Sequence, residues 1–580
     1  MHVKNYPVKS FICCCLASIC LTQVLAQPQP EPPLYQQTSE VNDIMVQYNA
    51  DYRSLARFYV IENSPERRQR LLSTVNEYID KLSKLDFDKL NTGTKADYIL
   101  FNRDLHEEQY QLEKEAKEYD SVKQWFPFAD SIYAYEKLRR RGAVPDAQSL
   151  AAGLNNWGKQ IQLLQQQLAK QSSISFYLGE RAVGTINGLR DALKSIYKFY
   201  YGYDPMFTWW VPQPYKITDS LLNVYAKDIK AKEKSLLPPK KDSSGIKGNP
   251  VGLDGLMRGL KYEMIDYTPD ELIDIAHKEY AWCMKEMLKA SNEMGFGNNW
   301  KAALEKVKQT YVAPGQQPAA MFKLYNESVD FIKQHNLITI PPLAEETWRM
   351  SMMSPEDQRV NPFFLGGEEL IISYPTNEMS EEDKMMSMRG NNPHFSRATV
   401  HHELIAGHRL EYYMMSRYKP YRRQFYTSFW IEGWSLYWEM LLWNQGFPQS
   451  PEDRVGMLFW RMHRCARIIF SINYHTGKWS PQECIDFLVD SVGHERANAE
   501  GEVRRSFEGG YDPLYQIGYM IGGLQIMQLK RELVDTKKMS YKDFHDAFIH
   551  QNTMPVEMER AILENLPLTK DYKANWKFYK

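Results

Sequence analysis

Apolar residues recur at the 3.6-residue spacing of an α-helix through most of this chain, and that periodicity leaves little room for another architecture. Leu71, Leu72, Val75, Tyr78, Ile79, Leu82 and Leu85 fall on one face. Thr268-Pro269-Asp270-Glu271 reads as a helix start, with an N-cap, a first-turn proline and a capping box. Leu272, Ile275, Ala276 and Tyr280 then supply the buried stripe. The same period predicts helices over 152–170, 301–311, 399–416, 429–445, 454–472, 480–491 and 513–533. Strand signal is confined to Glu369–Tyr374, whose edge could hold an extended ligand by main-chain bonds. The expected fold is mainly α, a large helical body with a small β-sheet near the candidate site.

Three segments follow from composition. Residues 1–26 read as a secretory signal: His2, Lys4 and Lys9 lead an apolar stretch too short to span a bilayer, and Val24-Leu25-Ala26 fits a cleavage site. Lipidation at Cys20 is the alternative, disfavoured by the bulky Ile19 before it. Residues 27–250 form an N-terminal helical region, closed by a candidate linker at 236–250, and residues 251–580 a C-terminal helical region carrying the chemistry. The Pro- and Trp-rich stretch 202–215 reads as a loop. Localisation is therefore expected to be exported, periplasmic or extracellular, with no transmembrane span once the signal is gone.

Charge excludes whole classes of partner. The formal net charge of −1 becomes −3 when the signal removes Lys4 and Lys9, so no global field draws nucleic acid or an anionic membrane. With 43 % apolar and 25 % charged residues, the chain is neither disordered nor a multi-span membrane protein. Cys283, Cys465 and Cys484 remain in the mature chain without paired spacing and are expected to be buried thiols.

The chemistry concentrates in His401-His402-Glu403-Leu404-Ile405-Ala406-Gly407-His408. A histidine followed by glutamate opens the helical zinc-peptidase motif, in which two histidines at i and i+4 bind the metal and the glutamate activates water. Here His402 and His408 stand at i+6, about 600° apart around an ideal helix. Both can reach one ion only if Ala406-Gly407 breaks the helix, which glycine permits. His401 and His408 share a face but lie about 10 Å apart along the axis. The same cluster would also suit a polar helix surface.

A second stretch, Phe429–Glu439 (FWIEGWSLYWE), is an aromatic helix with only two acids, Glu432 and Glu439. A buried carboxylate needs a partner. Zinc facing His402 would supply one; Arg409, Arg422 or Arg423 would be the ion-pair alternative. A third stretch, Glu502–Gly518, places two arginines and several tyrosines around a Gly-Gly turn, where a Tyr can donate to an oxyanion and an Arg can hold a carboxylate. The near-motif at His494-Glu495, the Gly366-Gly367 and Gly522-Gly523 pairs and the basic run at Lys137–Arg141 lack the context of a functional motif.

These motifs, in this order, resemble the bacterial domain of unknown function 885 family, whose members are regarded as relatives of helical zinc metallopeptidases. HELIAGHRLE begins at His402, EGWSLYWE at Glu432, NYHTGKWS lies around His475 and Trp479, and EVRR…YQIG runs from Glu502 to Gly518. Ala406 stands for the family's proline, Arg409 for its second histidine, and the gap to Tyr515 is one residue shorter. The resemblance implies that the i+6 spacing is an expanded form of the common motif.

The expectation is a secreted, Zn²⁺-dependent metallohydrolase acting on short peptides. His402, His408 and Glu432 would bind the metal, Glu403 would be the general base and Tyr515 an oxyanion donor. Glu439, with His401 beside it, would orient a ligand histidine. His475 and Arg505 enter as site residues through the resemblance alone. The alternatives are hydrolysis of a non-peptide amide, or an inactive peptide-binding relative.

Overall fold

Capped amphipathic helices dominate the computed structural model, which describes residues 38–234, 242–358, 361 and 363–579. The expected signal at 1–26, Cys20 and the first half of the 236–250 linker lie outside the described residues. From Thr38 onward the chain forms one compact unit. The fold is mainly α. Its sheet is two short parallel strands, β1 (Arg349–Met352) and β2 (Glu369–Ile372), paired in register from Arg349–Glu369 to Met352–Ile372. Among the described residues no helix is long and apolar enough to cross a membrane.

Three hydrophobic clusters organise the helices. One is confined to residues 61–229 and is built from helices such as Ala147–Ala169, Phe176–Tyr200 and Pro212–Ala231. A second joins the first helices to the end of the chain, packing Leu71, Tyr78 and Phe101 with Phe425, Met554 and Met558. The third and largest surrounds the site, from Leu256 to Phe578. The second cluster is sealed by an ion pair: Arg422 donates from Nε to Asp97 at 2.7 Å, and both side chains are almost fully buried. Arg422 is thus spent far from Glu432.

Most boundaries follow the capping chemistry. Thr268 caps Pro269–Glu293 with the reciprocal Thr268–Glu271 box expected from sequence. The stretch 202–215 is corrected from a loop to two helices, Pro205–Trp210 and the start of Pro212–Ala231. Each proline occupies a first-turn position, where its missing N–H costs nothing, and Asp204 caps the first helix by accepting from the Phe207 N–H. Cys283, Cys465 and Cys484 are all buried.

Helix Ser428–Asn444 is apolar on every face except the one carrying Glu432, Ser435 and Glu439, and it is buried throughout most of its length, with Trp430, Trp434 and Trp438 among the largest fully enclosed side chains. It crosses Tyr515–Lys530 backbone against backbone. A Cβ on Gly522 would sit 1.9 Å from the Phe429 oxygen, and one on Gly433 would sit 2.7 Å from Gly522 Cα. Only glycine permits this approach, so Gly522, which fits no phosphate loop, is a helix-crossing residue that brings Tyr515 onto Glu432.

Candidate metal centre

The predicted helix 399–416 is in fact two helices. Pro393–Glu403 ends at Glu403, residues 404–407 leave the helical path, and His408–Met415 begins again at His408. Two contacts hold the break. Trp434 Nε1 donates to the Ala406 carbonyl at 2.7 Å. Gly407 lies so close to the preceding turn that a Cβ there would stand 1.8 Å from the His402 oxygen. The interruption turns His408 back towards His402, and their ring centroids are 5.0 Å apart.

Glu432 meets both rings. Its Oε2 lies 3.4 Å from His402 Nε2 and 3.3 Å from His408 Nε2. Its Oε1 accepts a hydrogen bond from the Tyr515 hydroxyl. The three residues are buried, and one donor atom from each lies within 4.8 Å of the others. Each imidazole is anchored from behind. His402 Nδ1 lies 2.7 Å from Glu439 Oε1, and His408 Nδ1 lies 2.8 Å from Glu411 Oε2. Both Nε2 atoms therefore point at one space. Arg464 in turn reaches Glu439 at 3.3 Å.

The arrangement matches the outer support that metal sites use, in which a carboxylate fixes the ring and tautomer of each histidine. The electrostatics agree. Burial opposes charge on His408, but Glu432 and Glu411 hold its pKa well above the usual imidazole value. Burial likewise opposes the Glu432 carboxylate, but His408 and His402 hold its pKa well below the usual range. Glu411 is pushed up by burial to about 7, with His408 opposing. Glu432 Oε2 is fully enclosed yet has no hydrogen-bond partner, which is costly unless a cation completes it. Two imidazoles and a carboxylate converging on such an atom suit a divalent transition metal.

Glu403 follows His402 at the end of its helix, packed under the turn before β2. Gly367 N–H approaches the Glu403 carbonyl at 3.4 Å, and a Cβ on Gly366 would meet Glu403 Oε2 at 2.4 Å. The small sheet is thus adjacent to the candidate base. Burial raises the Glu403 pKa, opposed by His402 and His408.

Other expected residues have different fates. His401 is fully buried edge-on to Phe447, at 5.6 Å between centroids, and makes no side-chain bond to the cluster. His475 packs against Tyr474 and Phe507 and does not join the cluster either. Arg409 turns to the Ala344 carbonyl at 3.3 Å and Arg423 is exposed, so the ion-pair alternative for Glu432 is not realised through Arg409, Arg422 or Arg423. Arg505 lies beyond Tyr515, on the ring of Tyr511. Sequence reasoning missed Glu411, Arg464 and Tyr519. Glu411 had a usable signal, since it stands three residues after His408 on the same helix face. Tyr519, whose ring stacks over His402 at 6.1 Å and whose hydroxyl is 3.2 Å from that of Tyr515, had none among 37 tyrosines.

The described cavities include one of about 700 Å³ lined by Glu107, Tyr110, Arg258, Glu263 and the turn Asp512–Leu514, immediately before Tyr515.

The fold and site define a class: a mainly α protein built around a buried His-His-Glu cluster with the donor set of a metal centre. The chain belongs to the bacterial protein family of unknown function DUF885, whose model matches residues 60–562. No curated protein matches it. Solved structures that share its fold include the following two. A protein of Shewanella oneidensis described as a "putative lipoprotein of unknown function" has a TM-score of 0.64 at 17 % identity, over 91 % of this chain and 100 % of that one. A "putative lipoprotein" of Colwellia psychrerythraea has a TM-score of 0.56 at 15 % identity, over 90 % of this chain and 98 % of the other.

Proposed function

We propose that the chain is an exported, zinc-dependent hydrolase that cleaves short peptides. The observation that carries this reading is the convergence of His402 Nε2, His408 Nε2 and the otherwise unpartnered Glu432 Oε2. His402, His408 and Glu432 would hold the metal, which when bound supplies Lewis acidity toward a water molecule and a carbonyl oxygen. Glu403 accepts the proton from the attacking water and returns one to the leaving amine. Glu439 and Glu411 hold the imidazoles with Nε2 forward. Tyr515, bonded to Glu432 Oε1, keeps the other carboxylate oxygen aimed at the histidines, and Tyr519 stands next to it as a hydroxyl donor. The burial of the three cluster residues favours a short substrate over a folded protein, while the edge of β2 is closed to an extended ligand at Ile371, whose backbone pairs with Leu365.

The basic lead and apolar stretch of residues 1–26 support export, as do the lipoprotein descriptions of the two similar folds. The mass of the mature N-terminus separates cleavage after Ala26 from acylation at Cys20.

The test is Glu403→Ala. Zinc content measured by elemental analysis should stay at one ion per chain, and turnover of a quenched fluorescent peptide library should fall by about three orders of magnitude or more, the scale of a lost general base and its positioned water. Wild-type-like turnover in that variant, or a purified wild-type chain without stoichiometric metal, would discard the reading.

A further inference from the structure

The guanidinium of Arg505 is nine-tenths buried, at 8 % exposure, in the wall of the site beside Tyr511 and Tyr515. Its Nη2 donates to the Tyr511 hydroxyl at 3.2 Å, and its Nε has no partner. Among the described residues no carboxylate lies within 4.0 Å of it. The nearest acids are shared: Glu502 accepts from Arg467 at 2.7 Å while also attracting the Arg505 guanidinium, and Glu439 serves Arg464 and His402. Three guanidiniums, of Arg464, Arg467 and Arg505, therefore share two carboxylates next to Tyr519. A buried guanidinium that shares its carboxylate with a second arginine and keeps an unbonded Nε has an open donor suited to an anion.

The position indicates which anion. The Arg505 guanidinium lies over the Tyr511 ring at 5.0 Å, the Tyr511 and Tyr515 rings meet at a tilt 4.4 Å apart, and the Tyr515 hydroxyl donates to Glu432. A ligand anchored at Arg505 reaches the metal cluster within a few residues of extended chain. Arginine presents a planar fork of donors matched to a carboxylate. We infer that Arg505 binds the free C-terminal carboxylate of the substrate, so that the site takes peptides by their C-terminal end and cleaves near it. This rests on the peptidase reading above and narrows its substrate class.

The experiment measures binding without turnover. The full mature chain carrying Glu403→Gln, as purified, is titrated calorimetrically with acetyl-tetra-alanine ending in a carboxylate and with the same peptide ending in a carboxamide. The acid should bind at least tenfold more tightly. Adding Arg505→Gln should bring the acid down to the affinity of the amide and leave the amide unchanged, and Arg505→Lys should restore part of the difference. Equal binding of acid and amide, no binding of either, or equal weakening of both by Arg505→Gln overturns the inference. The acid–amide comparison needs no substitution at Arg505, so a misfolded variant leaves it decisive. If the wild-type chain hydrolyses nothing yet Glu403→Gln discriminates acid from amide, the hydrolase reading fails and the carboxylate site stands.

Discussion

Glu439 Oε1 lies 2.7 Å from Nδ1 of His402, thirty-seven residues away in the chain, and thereby decides which nitrogen of that ring faces Glu432. Glu411 does the same for His408 at 2.8 Å. Such carboxylates raise the basicity of the ligand nitrogen and hold the ring in one orientation. Glu439→Gln and Glu411→Gln should each weaken zinc binding by about 10- to 100-fold. Competition against a chelating dye measures this directly, and unchanged affinity in both variants would mean that the two carboxylates serve packing alone.

The break at residues 404–407 makes a different demand. A Cβ at Gly407 would lie 1.8 Å from the His402 oxygen and 2.7 Å from the His401 oxygen, both backbone atoms that cannot rotate aside. Gly407→Ala should therefore force the two short helices apart, at a cost of about 3 kcal/mol. It should also separate the imidazoles. The midpoint of urea unfolding and the zinc stoichiometry should fall together; a stable variant carrying a full complement of zinc would show that the close approach at Gly407 is not needed.

How far this centre was legible in the sequence depended on whether the signal was local. The cluster of His402, His408 and Glu432, with Glu403 beside it, could be read because these residues are chemically unusual on apolar helices. The helix break was foreseen as a geometric necessity of the i+6 spacing, and Gly407 stood where it had to be. Helix 399–416 nevertheless read as continuous, because periodicity averages over a four-residue interruption. The loop assigned to 202–215 erred for a related reason: prolines at first-turn positions count as breakers unless the caps around them are recognised. Contacts made by tertiary folding left no local trace. The Arg422–Asp97 pair spans more than three hundred residues, and the Gly433–Gly522 crossing is invisible until the two helices are superposed in space.

That long-range pair carries a stability prediction. Arg422 and Asp97 are almost fully buried, and Arg422 also donates to the Gly93 and Gln551 carbonyls at 3.2 Å each. Removing one partner leaves the other charge enclosed without compensation, which costs about 3–5 kcal/mol. Arg422→Met should lower the free energy of unfolding by that amount, and Asp97→Asn should do so to a comparable degree. The double variant should lose less than the sum of the two, since no isolated charge remains. Strict additivity in urea unfolding would show that the two residues do not act as a pair.

The last prediction concerns Glu263, which lines the cavity before Tyr515 and sits under the start of the Glu432 helix. Thr427 Oγ1 donates to Glu263 Oε2 at 2.5 Å, and Thr427 Oγ1 also caps the helix by accepting from the Phe429 N–H at 3.1 Å. Burial pushes the Glu263 carboxyl up to about 7; Arg103 and the Thr427 hydroxyl oppose the shift, and Asp512 and Asp104 add to it. A carboxyl raised in the folded state contributes stability that is fully present below its unfolded pKa, near 4.5, and is lost as the pH rises through 7. Glu263→Gln keeps an acceptor for Thr427 but removes the titration. The variant and the wild type should be about equally stable at pH 4.5, and the variant should gain about 1–3 kcal/mol on the wild type by pH 8. Urea unfolding of both chains across that range tests the sign as well as the size. Parallel stability curves would mean that Glu263 stays ionised in the fold, and that the cavity is wet enough to solvate it.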